Sequence, residues 1–306
     1  GVFTVSCAGG SMARCALPVT RTAFAGTVLE VRVRGLVGGH SGTEIHKGRA
    51  NANAVLGRLL QAMGAETELR LVTAAGGGKD NAIPVESSAQ VVASDEAAAR
   101  QAAEQMAAAL TREYAVADPG LRVEVTACEV SETPMDRAST EKALCMLTCL
   151  PNGVQAMSMD IPGLVQTSLN LGILATEADS LTATFCVRSS LGSQKEMLHR
   201  RLRALMAQLG GTVSISGDYP AWEYRQDSPF RDLMTEIFWE QYGSAPQIEA
   251  IHAGVECGIL AGKLPGLDCV SVGPDLLDIH TPRERMDIAS VQRVWRFVLE
   301  VLKRSK

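Results

Sequence analysis

The chain has 306 residues, a net charge of −5 and 21% charged residues. That length allows two domains with a substantial core, and the charge balance gives no basic footprint for nucleic acid. No apolar run approaches the roughly 20 residues of a membrane span, and the 8 cysteines include no C-x-x-C pair, as fits reduced thiols of a cytoplasmic protein better than a disulfide framework.

The chain opens on VFTVSCAGG, a strand over residues 2–6 with no charged region ahead of it. It reads as a chain cut within a domain rather than as a signal peptide. A Gly9-Gly10 turn and an irregular stretch to Pro18 follow. Strand 27–34 sets Leu29, Val31 and Val33 against Glu30, Arg32 and Arg34, the alternation of a half-buried strand. Next come a glycine-rich turn around His40, helix 51–63 with Gly64 as its stop, strands 67–73 and 82–93, helix 95–114 capped by Ser94, and strand 121–127. That order is βαββαβ, a ferredoxin-like unit.

A second unit of the same kind follows: helix 139–150, strands 154–159, 167–174 and 181–188, helix 193–209 with a Ser193/Glu196 capping box, and strand 212–216. Cys145 and Cys149 stand one turn apart on the first of these helices. From Asp227 the pattern is α/β: helix 228–242 with Ser228 as cap, Pro229 behind it and Gly243 as its stop, strand 247–251, helix 255–262, strand 268–272 and helix 288–304. The predicted domains are 1–21, a strand of an α/β domain; 22–226, an α+β lid of two units (22–130 and 131–226); and 227–306, the closing part of the α/β domain.

Several residues could carry chemistry. His40 is flanked by Gly38, Gly39 and Gly42, which clear side chains from around the imidazole; it is either a surface histidine of a turn or a functional one. His46, Arg49, Asn51 and Asn53 put polar groups at the mouth of the helix that follows, and His46 is placed to line the same cleft. Asn81, in GGGKDN, reads as a turn residue in the left-handed region. Arg188 lies on the strand face opposite Leu181, Ala183, Phe185 and Val187, either as a carboxylate clamp or in an ion pair. Glu256 opens a helix, where the dipole favours an anion. His280 follows strand 268–272, where open α/β sheets place their ligands, beside Asp275 and Asp278; it is a solvated loop histidine or a metal ligand. His199, on the Lys195/Arg203 face of its helix, is predicted solvated, and His252 structural.

The segments GGHSGTEIHKGRANAN (38–53), GGGKDNAIP (76–84), PGLVQTSLNLG (162–172), SGDYPAWEYRQDSP (216–229), IHAGVECG (251–258) and VSVGPDLLDIHTP (270–282) together resemble the aminoacyl-histidine dipeptidases, the carnosinase-like di-zinc metallopeptidases. The resemblance spans essentially the whole chain and implies a doubled ferredoxin-like lid inserted in a zinc-peptidase α/β catalytic domain. It implies zinc-dependent hydrolysis of Xaa-His dipeptides, with two zinc ions, or another divalent metal, in the full-length protein. Residue by residue, it makes His40 the lid histidine that stabilises the oxyanion, Asn81, Arg188 and Glu256 substrate contacts, and His280 a metal ligand. The family's other ligands come from an H-x-D motif, a Glu-Glu pair and further aspartates, and the 306 residues contain neither H-x-D nor Glu-Glu. The chain is therefore expected to be a C-terminal portion, inactive alone. A homodimer through the lid is implied, although two lid units in one chain can satisfy that contact internally and leave it weak. A non-catalytic binding or dimerisation module derived from such a peptidase, and a related tripeptidase or amidohydrolase, are the alternative functions.

Overall fold

The computed structural model describes residues 1–279 and 281–305. In chain order its strands are β1 (Val2–Cys7), β2 (Gly9–Pro18), β3 (Thr27–Arg34), β4 (Gly39–His40), β5 (Leu69–Gly76), β6 (Ala82–Ile83), β7 (Ser87–Ala93), β8 (Arg122–Ala127), β9 (Gly153–Met157), β10 (Val165–Thr176), β11 (Ser180–Ser189), β12 (Thr212–Tyr219), β13 (Gln247–Ile251), β14 (Leu276–Leu277) and β15 (Arg285–Met286). The helices are α1 (Ala52–Glu66), α2 (Glu96–Glu113), α3 (Arg137–Cys149), α4 (Gly192–Leu209), α5 (Pro229–Tyr242), α6 (Glu256–Lys263) and α7 (Ile288–Arg304).

One sheet organises the lid. Its strands run β12-β2-β11-β10-β5-β7-β3-β8, with β9 also paired to β10. The first unit, β3-α1-β5-β7-α2-β8, has spatial order β5-β7-β3-β8, and each of its neighbouring pairs is antiparallel. The second has the same order only when β2 is counted as its first strand: β12-β2-β11-β10, again antiparallel. The doubling is therefore real, but the first unit is an insertion between β2 and α3, and both join one sheet where Leu174 pairs with Gly76. Helices α1 to α4 cover one face over a shared core of residues such as Leu56, Leu60, Leu71, Phe185 and Leu202.

This corrects two expectations. Residues 9–18 are a central lid strand rather than an irregular stretch, so the lid begins at Gly9 and not at residue 22. The reason lies in GGSMARCALP: Ala13, Cys15 and Leu17 are buried, but Met12, Arg14 and Ala16 on the other face are not uniformly polar, so the period of two is faint. Arg14 is accommodated by Glu177 at 2.5 Å.

Four local readings also shift. The strand read as 82–93 breaks at Pro84, which has no N–H for a ladder, leaving β6 paired with β4 and β7 in the main sheet. Helix α1 runs through Gly64 to Glu66. Gly64 and Gly57 are close-approach positions, where a Cβ would meet Leu144 Cδ1 at 3.1 Å and Leu147 Cβ at 3.0 Å of α3. Helix α2 is capped by Asp95, whose side chain accepts from the Ala98 N–H, rather than by Ser94. The Ser193/Glu196 box does not form: Leu191 is the N-cap of α4, and Glu223 accepts from the Gly192 N–H at 2.9 Å. Ser228, Pro229 and Gly243 bound α5 as expected.

In the C-terminal part, β1 runs parallel to β13. Phe3 of β1 packs against Phe238 of α5 and Phe297 of α7, with ring centroids 5.5–5.6 Å away. The strand expected at 268–272 is reduced to a single bridge between Thr4 and Ser271.

Asp118 fixes the approach to the glycine turn. It is 1% exposed, and its carboxylate accepts from the Val37 N–H at 2.7 Å and the Ala50 N–H at 2.6 Å. Asp118→Ala strands both donors, and unmade buried hydrogen bonds cost about 1–3 kcal/mol each. Urea unfolding should show a stability loss of about 2–4 kcal/mol with an unchanged slope.

Candidate functional site

The open face of the lid sheet meets the C-terminal part through a polar group of side chains. Arg188 of β11 pairs across the sheet with Ser168 of β10 and Gly10 of β2. It is 8% exposed, yet it makes no ion pair among the described residues. Its Nη1 donates to Tyr219 Oη at 3.2 Å, and its Nε is buried without a partner. A buried guanidinium with no counter-charge is costly.

Tyr219 is fitted into a slot made by glycines. A Cβ on Gly10 would stand 2.4 Å from Tyr219 Oη, and one on Gly254 would stand 2.7 Å from its ring. The Tyr219 carbonyl accepts from Lys195 Nζ at 2.6 Å, and the same ammonium pairs with Asp218 at 2.6 Å.

His40 ends the short β4 strand beside Arg188. Its Nδ1 accepts from the Gly42 and Thr43 N–H groups, both at 3.1 Å, so in the neutral ring the proton sits on Nε2. Burial, and then the Arg188 charge, lower its pKa below the ordinary histidine value, with Glu44 opposing them. The turn depends on Gly42 having no side chain: a Cβ there would lie 2.6 Å from the His252 carbonyl oxygen, 3.0 Å from His40 Cε1 and 3.2 Å from Arg188 Nε.

Buried amides set the register of these loops. Asn51 caps α1 by accepting from the Asn53 and Ala54 N–H groups. Its Nδ2 donates to Asn170 Oδ1 at 3.1 Å and to the Leu171 carbonyl at 3.0 Å. Asn170 Nδ2 in turn donates to the carbonyls of Asp80 and Ala82, each at 2.8 Å. The turn between those carbonyls presents Asn81, whose own carbonyl accepts from the Ser41 N–H at 2.9 Å. Asn81 is thus held next to the His40 loop. It is not in the left-handed region, since Asp278 is the only non-glycine with positive φ among the described residues.

His252 enters from the C-terminal part. Its Nε2 lies 2.7 Å from Ser168 Oγ. Burial first, then Arg188 and His40, push its pKa down to about 3. Beside it lies a cleft of about 410 Å³ bordered by Gly42, His46, Leu164, Ile248 and His252.

Of the residues singled out from sequence, His40, Asn81 and Arg188 come together. Glu256 opens α6 in an exposed position, with no contact to that group. His280 lies outside the described residues. His199 is buried rather than solvated: its Nε2 is 2.7 Å from Ser11 Oγ, because β2 passes beneath α4. Tyr219 and the site position of His252 were not foreseen; the glycines at 9, 10 and 254 were the trace they left. Among the described residues no three His, Cys, Asp or Glu side chains converge as a metal site. What Arg188 and His40 offer chemically is a positive charge and hydrogen-bond donation from a neutral imidazole.

Residues 31–118, most of the inserted first unit, match a peptidase dimerisation domain. The cytosol non-specific dipeptidase of Escherichia coli (strain K12) is 33% identical over 99% of this chain and 63% of its own length. The crystal structure of aminoacylhistidine dipeptidase from Vibrio alginolyticus superposes with a TM-score of 0.93 at 31% identity, over 99% of this chain and 63% of that one. Over these spans the chain is similar to both dipeptidases. It spans about 63% of the length of each. A TM-score of 0.93 with the dipeptidase structure fits the doubled lid and the α/β part as one arrangement, and the sequence resemblance to this family holds along the whole chain.

His252 gives the site a pH signature. Neutral in the fold down to about pH 3, it takes a proton in the unfolded chain below about 6.5. The unfolded state then binds more protons, so stability falls as pH drops from about 6.5 toward 3, by at most about 1.4 kcal/mol per unit. Denaturant unfolding from pH 7 to pH 4 should show a shallower loss in His252→Gln than in the wild type.

Proposed function

We propose that these residues form the substrate-facing side of a metallodipeptidase that hydrolyses Xaa-His dipeptides in the cytoplasm. The observation that carries the reading is Arg188: a buried guanidinium with an unpartnered Nε, next to an imidazole whose Nε2 carries the proton. A dipeptide has a carboxylate for the first and, two bonds beyond its last Cα, a peptide carbonyl for the second. Arg188 binds the carboxylate through a forked, charge-assisted pair, with Tyr219 fixing the fork. His40 Nε2–H donates to the carbonyl oxygen as negative charge develops on it. Asn81, held beside the His40 loop, is assigned to the same oxygen or to the peptide, and Glu256 to the substrate's α-amino group.

In this reading His280 would be one ligand of the zinc carried by the family the chain resembles, two ions there, and that metal would supply an activated water. Relatives named as dipeptidases support the activity class, and the absence of any disulfide among the described cysteines accords with a reducing compartment. No described helix is long and apolar enough to cross a membrane. The match to a dimerisation domain supports self-association. The internal junction uses the β5 edge of the first unit, which leaves the β8 edge strand available for a second chain.

The test is hydrolysis of Ala-His by the longest expressed form of the protein, with zinc supplied. His40→Ala should lower kcat by about 100-fold or more at unchanged zinc content. Arg188→Ala should raise KM about 10- to 100-fold for the free dipeptide and far less for its C-terminal amide. Absence of hydrolysis in the unaltered protein, or equal losses on acid and amide, overturns the reading.

A further inference from the structure

Helix α3 carries two thiols that the proposed reaction does not use. Cys145 and Cys149 stand one turn apart; Cys149 is exposed, Cys145 half-buried, and both are free. They share the solvent-facing ridge of the helix with Glu141, Lys142 and Thr148. The Cys145 thiol donates to Cys149 Sγ across 3.9 Å.

Geometry separates the chemistries open to such a pair. A disulfide needs Cβ atoms about 3.5–4.5 Å apart, whereas helix positions i and i+4 hold them about 5–6 Å apart. Oxidation would therefore have to unwind the last turn, where the Leu150 N–H still bonds the Met146 carbonyl at 3.0 Å. A bound dication needs two thiolates. Burial, and then Cys149, raise the pKa of the Cys145 thiol, and Cys149 is the last residue of α3, where the helix dipole disfavours an anion. A single soft atom that exchanges oxygen for sulfur meets neither obstacle. Two bonds of about 2.3 Å, the length of a metal–thiolate bond, meeting at the pyramidal angle of a trivalent centre span somewhat less than the 3.9 Å between the sulfurs, a difference that side-chain rotation closes with no backbone movement. No third His, Cys, Asp or Glu among the described residues completes a metal site with the pair, which suits a centre that brings its own third substituent.

We propose that Cys145 and Cys149 form a dithiol site that captures a monosubstituted trivalent arsenical. In the reaction, R–As(OH)2 exchanges both As–O bonds for As–S bonds. The two S–H bonds break, their protons leave with the hydroxyls as two waters, and arsenic stays trivalent. No oxidant or reductant is required.

The probe is phenylarsine oxide, added to the reduced 306-residue chain and followed by intact mass. One adduct per chain is expected, resistant to excess monothiol and reversed by 2,3-dimercaptopropanol. Cys145→Ser and Cys149→Ser should each weaken retention against monothiol at least tenfold, since either leaves a single As–S bond. Cys257→Ser, which removes the other hydrogen-bonded thiol pair, Cys257 with Cys269, should leave the adduct unchanged. Proteolytic digestion of the wild-type adduct should place the arsenic on the peptide holding both α3 cysteines, a readout independent of how the variants fold. An adduct retained in either α3 variant, lost in Cys257→Ser, or mapped elsewhere overturns the assignment.

Discussion

The site rests on one buried contact between amides, Asn51 Nδ2 to Asn170 Oδ1. Asn51 belongs to the first unit and caps α1; Asn170 belongs to the second and holds the 80–82 turn by two backbone carbonyls. Each amide spends donors and acceptors in several directions at once, so neither can move without stranding a buried polar group. That constraint sets the seam between the two halves of the sheet. Apolar packing under the helices makes the lid cohere, but it would tolerate small slips that this hydrogen-bonded seam forbids. Gly172 completes the seam: a Cβ there would fall 2.5 Å from the Asp80 Cα, so the turn can lie directly on β10.

Charge placement then follows from that framework. Arg188 is kept in place by covalent geometry, by the sheet and by one phenol, not by an anion of the protein. Tyr219 in turn depends on Lys195, a residue 7% exposed whose ammonium is divided between Asp218 and the Tyr219 carbonyl. Two buried cations therefore hold opposite ends of Tyr219, and Asp218 pairs with Lys195. Burial first, and then the Arg188 charge, keep His40 and His252 toward the neutral form.

Much of this was legible from residues. The βαββαβ order, the caps of α5, the placement of His40 in a glycine turn and the face carrying Arg188 all follow from period and turn chemistry. What was not legible shares one cause. β2 sets Ala13, Cys15 and Leu17 against Met12, Arg14 and Ala16, so its burial on one face leaves little contrast in polarity. Its position, remote in sequence from the unit it completes, offered no local signal either. Missing β2 hid the ring of consequences around it: Ser11 beneath His199, Gly10 beneath Tyr219, and hence the phenol that orients Arg188. The strand at 268–272 failed in the opposite direction, as an apolar run that looked like a ladder and keeps a single pair. Gly64 looked like a stop because sequence cannot show that Leu144 needs the space. His280, the residue on which a metal reading leans, lies outside the described residues.

The insertion of the first unit has a topological corollary. Its entry and exit are adjacent: Arg21 bridges to Met135, and the Thr22 N–H bonds the Pro134 carbonyl at 3.0 Å. A module whose two ends meet can be excised, permuted or exchanged with little loop-closure entropy. His40 travels with that module, whereas Arg188 and Tyr219 stay with the host. The imidazole and the guanidinium are thus on separable pieces of the chain, free to be varied independently, with the Asn51–Asn170 seam as the joint that must be matched.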